Sequence, residues 1–193
     1  MKLHSIILIP FLATSNFLDL KYSKLTPNQV KLDKVVEITV DKSASPLFLK
    51  ASEGPKLWSE VMLEGTVAIE REIGNNENDS YFQLGVIYEG DYRPNGFVKA
   101  FLPEWLLKVL TLSETSGVSE IDFLDITNSR ELDKSDNIRD IKLNFKTVGR
   151  LENGKFKIST KLKEKKVLGF WLRTDGDDSK AKFKLIIDRF EVK

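Results

Sequence analysis

From Val35 onward, apolar and polar residues alternate with a period of two, the spacing of a strand with one face buried. Val36, Ile38 and Val40 alternate with Glu37, Thr39 and Asp41. Val61, Leu63, Val67, Ile69 and Ile73 alternate with Glu60, Glu64, Thr66, Glu70 and Glu72. Asn75 to Asp79 reads as a loop returning the chain into Tyr81 to Tyr88, and Arg93-Pro94-Asn95-Gly96 as a turn leading into a strand at Phe97 to Phe101. Further strands are expected at 121–127, 141–152, 155–162, 167–174 and 183–192. One helix interrupts them. Pro103 stands at its start, Glu104 follows, and Trp105, Leu106, Val109 and Leu110 form an apolar stripe, read as core that caps one end of the fold. About ten strands and one short helix predict an all-β fold, a single antiparallel β-sandwich of jelly-roll or concanavalin-like type spanning residues 16–193.

The first residues have a different pattern. A short start with Lys2 and His4 leads into Ile6-Ile7-Leu8-Ile9-Pro10-Phe11-Leu12 and then Ala13-Thr14-Ser15, the order of a secretory signal peptide over residues 1–15; the competing reading is an N-terminal core strand. The apolar run is too short to span a bilayer as a helix, so no transmembrane segment is expected in the mature chain. The 193 residues hold 30 Lys plus Arg, 29 Asp plus Glu, one histidine and no cysteine. Removal of residues 1–15 would take away Lys2 and His4, leaving a neutral chain without histidine or cysteine. Such a chain carries no histidine-based catalytic triad and no thiolate or histidine metal site. Its neutrality gives no field for nucleic acid. The expectation is a protein secreted or in the periplasm of a bacterium.

The neutral total conceals two opposed stretches. Residues 142–166 hold nine basic and two acidic residues, a net of +7, whereas residues 60–91 hold eight acidic and one basic, a net of −7. Asn153-Gly154 is a strong type I′ turn signal. If it joined two paired strands, Arg150 would face Lys157, Lys146 would face Lys161 and Lys142 would face Lys165. Like charges opposed in this way destabilise a sheet, so either the Glu60 to Glu72 strand neutralises them or an anionic ligand does.

Three acidic segments are candidates for chemistry. In Glu120-Ile121-Asp122-Phe123-Leu124-Asp125-Ile126 the apolar phase breaks between Phe123 and Leu124, as a β-bulge would produce, and a bulge there brings Glu120, Asp122 and Asp125 to one side. The segment resembles the Glu-x-Asp-x-x-Glu strand of the laminarinase-like retaining β-glucanases. The resemblance implies a nucleophile at Glu120, an assisting Asp122 and an acid/base at Asp125, where that family has Glu. The second segment, Trp171 to Ser179, would grip sugar hydroxyls with Arg173, Asp175, Asp177 and Asp178 while Trp171 stacks on a ring. In an alternative, Asp175, Asp177 and Asp178 hold calcium; otherwise no cofactor is expected, and the bland reading is a solvated turn beside a buried Trp171. The third is the loop bearing Tyr88, Glu89, Asp91, Tyr92 and Arg93, a glycan-recognising composition or a plain hairpin loop.

The late strand, acidic loop and closing strand Phe183 to Asp188 are similar to the ends of secreted jelly-roll carbohydrate-binding modules. That resemblance implies a non-catalytic protein whose partner is a glycan or another envelope component. The competing classes are a histidine-free glycoside hydrolase or lyase using Glu120, Asp122 and Asp125, and a structural envelope protein.

Overall fold

In the computed structural model, residues 7–8, 17–19, 21, 23–51, 54–74, 79–113, 116–126 and 131–193 are described, with the backbone alone at 7–8 and 17–19. The strands run in chain order as β1 (Ile7–Leu8), β2 (Phe17–Asp19), β3 (Gln29–Leu32), β4 (Val36–Asp41), β5 (Ala44–Lys50), β6 (Lys56–Leu57), β7 (Glu60–Arg71) and β8 (Ser80–Gly90). After helices α1 (Gly96–Lys99) and α2 (Glu104–Leu110) come β9 (Gly117–Ile126), β10 (Asp133–Ile138), β11 (Ile141–Gly149), β12 (Lys155–Lys161), β13 (Lys166–Asp175) and β14 (Lys182–Val192). One sheet has the order β12-β7-β14-β4-β3 with β1 beside β14, and the other β10-β11-β9-β8-β13-β5-β2 with β6 beside β13. They pack as a β-sandwich, as the alternation predicted. The expected leader lies outside the described residues except for the backbone of Ile7–Leu8, which runs antiparallel to Val192 and Glu191. No helix of the described residues is long and apolar enough to cross a membrane.

Two apolar layers hold the fold. The inner one lies between the sheets and includes Val36, Ile38, Leu63, Leu84, Val86, Phe170, Leu172, Phe183 and Leu185. The second covers the outer face of the larger sheet, where Phe48, Ile87, Ile121, Phe123 and Trp171 meet Leu106 and Val109 of α2. The helix therefore lies on a sheet face and does not cap an end of the sandwich. Burial on both faces explains why β8 and β13 are apolar almost without interruption: a strand covered on one side only has no use for an apolar residue at every position.

The same double burial removes the bulge expected between Phe123 and Leu124. Pairing of β9 with β8 is regular from Ile126 opposite Phe82 to Glu120 opposite Tyr88, and the irregularity falls beyond it, where Val118 faces Glu89. Ile121 and Phe123 serve the outer layer and Leu124 and Ile126 the inner one, so the phase break marks two buried faces and no inserted residue.

Two further expectations change. Phe97 to Phe101 is not a strand: Asn95 Oδ1 accepts the Val98 N–H at 3.0 Å and caps the one-turn α1, leaving Phe97 and Phe101 exposed. The Asn153-Gly154 turn is present, with φ of 52° and 72° and Glu152 and Lys155 exchanging backbone hydrogen bonds of 2.9 and 3.0 Å. The strands it joins nevertheless part. β12 pairs with β7 in one sheet, while β11 lies between β10 and β9 in the other, parallel to β9. The turn is thus a crossing between sheets. Charge gives the reason: Lys157 falls opposite Glu64, 2.7 Å away, and Lys161 opposite Glu60, where the hairpin would have set them against Arg150 and Lys146. Lys193 at 2.9 Å from Glu60 and Lys182 at 2.7 Å from Glu70 complete the neutralisation.

The crossing yields a first prediction. A Cβ on Gly154 would meet the Val67 carbonyl oxygen at 2.9 Å in a left-handed backbone. Gly154→Ala is therefore expected to cost about 1–2 kcal/mol, seen as a lower urea midpoint at unchanged slope. An unchanged midpoint would contradict this turn geometry.

Candidate ligand-binding cleft

The outer face of the larger sheet carries two adjacent rows of side chains that register alone creates. Across β11, β9, β8, β13 and β5, Phe145 pairs with Phe123, Phe123 with Gly85, Gly85 with Trp171 and Trp171 with Phe48. One pleat along, Thr147 pairs with Asp125, Asp125 with Gln83, Gln83 with Arg173 and Arg173 with Pro46. An aromatic row thus lies beside a polar one, about 7 Å away, the distance between alternate residues of a strand. Gly85 makes room in the first row, because a Cβ there would lie 2.9 Å from Trp171 Cβ and 3.3 Å from the Phe123 ring. The rings pack tightly: Phe123 and Phe145 stack at 4.9 Å, and Trp171 meets Phe48 at 5.0 Å and Phe123 at 5.6 Å.

These rows floor a cleft of about 620 Å³. Trp105 of α2, half-buried and 5.5 Å from Trp171, forms one wall, and Ser23, Lys24 and Leu25 the facing one. Glu104 ties the walls together, its Oε2 accepting from the Ser23 N–H at 3.2 Å and the Ser23 hydroxyl at 3.0 Å. Beneath the second wall, buried Asn28 donates to the Thr174 hydroxyl and carbonyl, at 2.9 and 3.0 Å, and anchors the segment to β13.

The polar end of the cleft is crowded with buried acid. Burial pushes Asp125 up to about 6, against the stabilising hydroxyl of Ser80, the charge of Arg173 and a hydrogen bond with Gln83. Burial likewise raises Asp175 to about 7, opposed by its ion pair with Arg173 and reinforced by Asp177 and Asp79. Arg173 therefore acts on both Asp125 and Asp175.

The catalytic trio expected on β9 is not assembled. Glu120 and Asp122 turn to the inner side, where Lys163 Nζ lies 2.5 Å from Glu120 and 2.6 Å from Asp122, and Lys165 Nζ 3.0 Å from Glu120. Asn144 donates to both carboxylates at 2.6 Å. Asp125 lies on the opposite face, on Ser80. Strand geometry separates them, since residues of opposite parity point to opposite faces unless a bulge intervenes. Burial would raise Glu120, yet the hydrogen bonds from Lys163, Lys165 and Asn144 outweigh it and hold the acid down at about 2, which suits an ion-pair member and not a proton donor.

The expected loop residues scatter. Tyr88 is buried in the inner layer, its phenol raised first by burial and then by the Asp122 charge, and its hydroxyl accepts from the Lys163 N–H at 3.4 Å. Glu89 lies 3.6 Å from Lys166, Tyr92 packs on the outer layer, and Asp91 and Arg93 are exposed; none of the five lines the cleft. Trp171, Arg173 and Asp175 do line it. Asp177 is half-buried next to Asp175, and Asp178 is exposed, outside the acid cluster that Asp79 joins instead. The sequence offers no binding signal for Gln83, Phe145 or Asp79, while Trp105 reads as helix core and Phe123 as one side of a phase break. Gln83, Phe123 and Phe145 are alternate residues of their strands, legible as a surface only once the second face is known to be covered.

The chain matches no protein-family model and no curated protein.

Proposed function

We propose that this protein is a non-catalytic binding protein that takes a glycan, such as an envelope polysaccharide, in the cleft on the outer sheet face. The carrying observation is the aromatic row of Phe145, Phe123 and Trp171, walled by Trp105, beside the polar row of Asp125, Gln83 and Arg173. A sugar ring has an apolar face and an edge of hydroxyls, and adjacent apolar and hydrogen-bonding rows complement both. The cleft's volume is within the range of small-ligand pockets. The secretory pattern of residues 1–15 favours a place outside the cytoplasm, in the periplasm or secreted.

The test is titration of the protein against a glycan panel, followed by tryptophan fluorescence and calorimetry. Trp105→Ala and Arg173→Ala are each expected to weaken the best ligand about tenfold or more, about 1.4 kcal/mol. Asp91→Ala, in the loop away from the cleft, should leave affinity unchanged. Absence of any glycan hit, or equal losses in all three variants, would overturn the reading.

A further inference from the structure

We infer that Asp79, Asp175 and Asp177 form a binding site for a divalent hard cation, with calcium the ion that fits best. The three come from separate places in the chain: Asp79 directly precedes β8, Asp175 ends β13, and Asp177 lies in the turn that follows. One oxygen from each lies within 4.8 Å of the others, a span that a single cation can bridge with bonds of about 2.3–2.6 Å.

Clustering of acids alone would mean little, but two of these are buried and incompletely used. Asp79 is 6% exposed and Asp175 3%. Asp79 Oδ2 accepts the Ser179 N–H at 2.6 Å and Asp175 Oδ2 is paired with Arg173, while the Oδ1 atom of each is buried with no hydrogen-bond partner among the described residues. A buried carboxylate oxygen with no partner is costly, and a bound cation removes that cost. The Ser179 hydroxyl is likewise buried without a partner on the residue that caps Asp79, and would supply a neutral oxygen.

Charge and chemistry point the same way. Three carboxylates converge here and Arg173 is paired with Asp175, which leaves negative charge that a divalent ion complements. All the donors are oxygens, which suits hard cations, and the mixture of carboxylates and hydroxyl with room for water suits the flexible coordination of calcium over the strict octahedron of magnesium. The turn is shaped for close approach. Gly176, between two of the acids, packs so tightly that a Cβ would lie 2.9 Å from Val40 and 3.0 Å from Ala181. Asp175 also borders the cleft, so an ion drawing on it would loosen its hold on Arg173 and free that guanidinium for a ligand. The cation site itself does not depend on what fills the cleft.

The experiment is calorimetric titration of the full chain, first stripped with EDTA, with CaCl2 and separately with MgCl2 to about 5 mM, above the range of weak extracellular calcium modules. Thermal unfolding in the same solutions gives an independent readout. One calcium per chain is expected, with magnesium weaker and a higher melting temperature in calcium than in NaCl of equal ionic strength. Asp177→Asn is half-buried and chosen to fold; it should weaken calcium about tenfold or more, while Asp178→Asn, outside the cluster, should not. If Asp177→Asn fails to fold, the Asp178→Asn control and the stoichiometry of the unaltered chain still decide. The assignment is overturned by no binding of either ion, by tighter magnesium than calcium, by a melting shift that NaCl reproduces, or by equal losses in the two variants.

Discussion

Phe170→Ala is expected to destabilise the protein by about 3–5 kcal/mol, the cost of removing a large aromatic ring from a packed core. Phe170 is 1% exposed in the inner layer, stacked with Trp58 at 5.6 Å and edge-on to Phe190 of the opposite sheet at 5.1 Å. It thus bridges the two sheets, and the space left by alanine is walled by β-strands that cannot easily collapse into it. For a chain of this size the melting temperature should fall by roughly 6–20 °C. The check is urea unfolding, where the midpoint drops at constant slope. Phe97→Ala is the natural contrast: Phe97 is 76% exposed on α1, and its loss should change stability by less than about 0.5 kcal/mol. Comparable effects from the two substitutions would mean that the core does not lie between the sheets.

The second large effect is a fall in stability as pH rises, opposite in sign to the usual behaviour of acidic groups. Asp125 titrates at about 6 in the folded protein, raised by burial, but near the ordinary 3.9 when unfolded. Between these values the folded state binds the extra proton, so its stabilising contribution is complete below about pH 4 and disappears as pH passes through 6. From about pH 4.5 to 7.5 the loss attributable to this residue is about 2 kcal/mol. The groups that act on it are Ser80, Gln83 and Arg173; Asp175, raised to about 7 and paired with the same Arg173, titrates in the same window and adds to the fall, so the comparison with an Asp125 variant isolates this residue. Glu120 works in the opposite direction, but its transition from about 2 lies at lower pH. Asp125→Asn keeps an oxygen for the Ser80 hydroxyl and removes the titration. In urea unfolding with EDTA present, the variant should lose about 2 kcal/mol less than the unaltered chain between the two pH values. Identical pH profiles for the two proteins would refute the buried, proton-binding state of Asp125.

Trp171 shows why the inner and outer faces of a strand are not told apart by the sequence. It and Phe170 are neighbours in an apolar run, and nothing local distinguishes the one that joins the sheets from the one that floors the cleft. Period two separates the two faces of a strand, yet it does not say that both faces are covered, and that second covering comes from α2, some sixty residues earlier in the chain. Asp125 was grouped with Glu120 and Asp122 for the same reason: a change of apolar phase has two causes, an inserted residue or a second buried face, and the pattern is identical for both.

What the sequence determined by itself was local. The alternation from Val36 to Val192 produced a β-sandwich, Pro103 and Glu104 started a helix, Asn153-Gly154 made a left-handed turn, and the opposed charges of residues 60–91 and 142–166 found each other at Glu60 and Glu64. Tertiary structure alone decided which strands became neighbours. That choice set Lys157 on Glu64 and not on Arg150, aligned Phe145, Phe123 and Trp171 into one row, and carried Asp79 across to Asp175 and Asp177. The physical reason is that turn and strand preferences act over a few residues, whereas pairing between distant strands is settled by the burial of whole faces and the cancellation of charge, which exist only once the sheets have stacked.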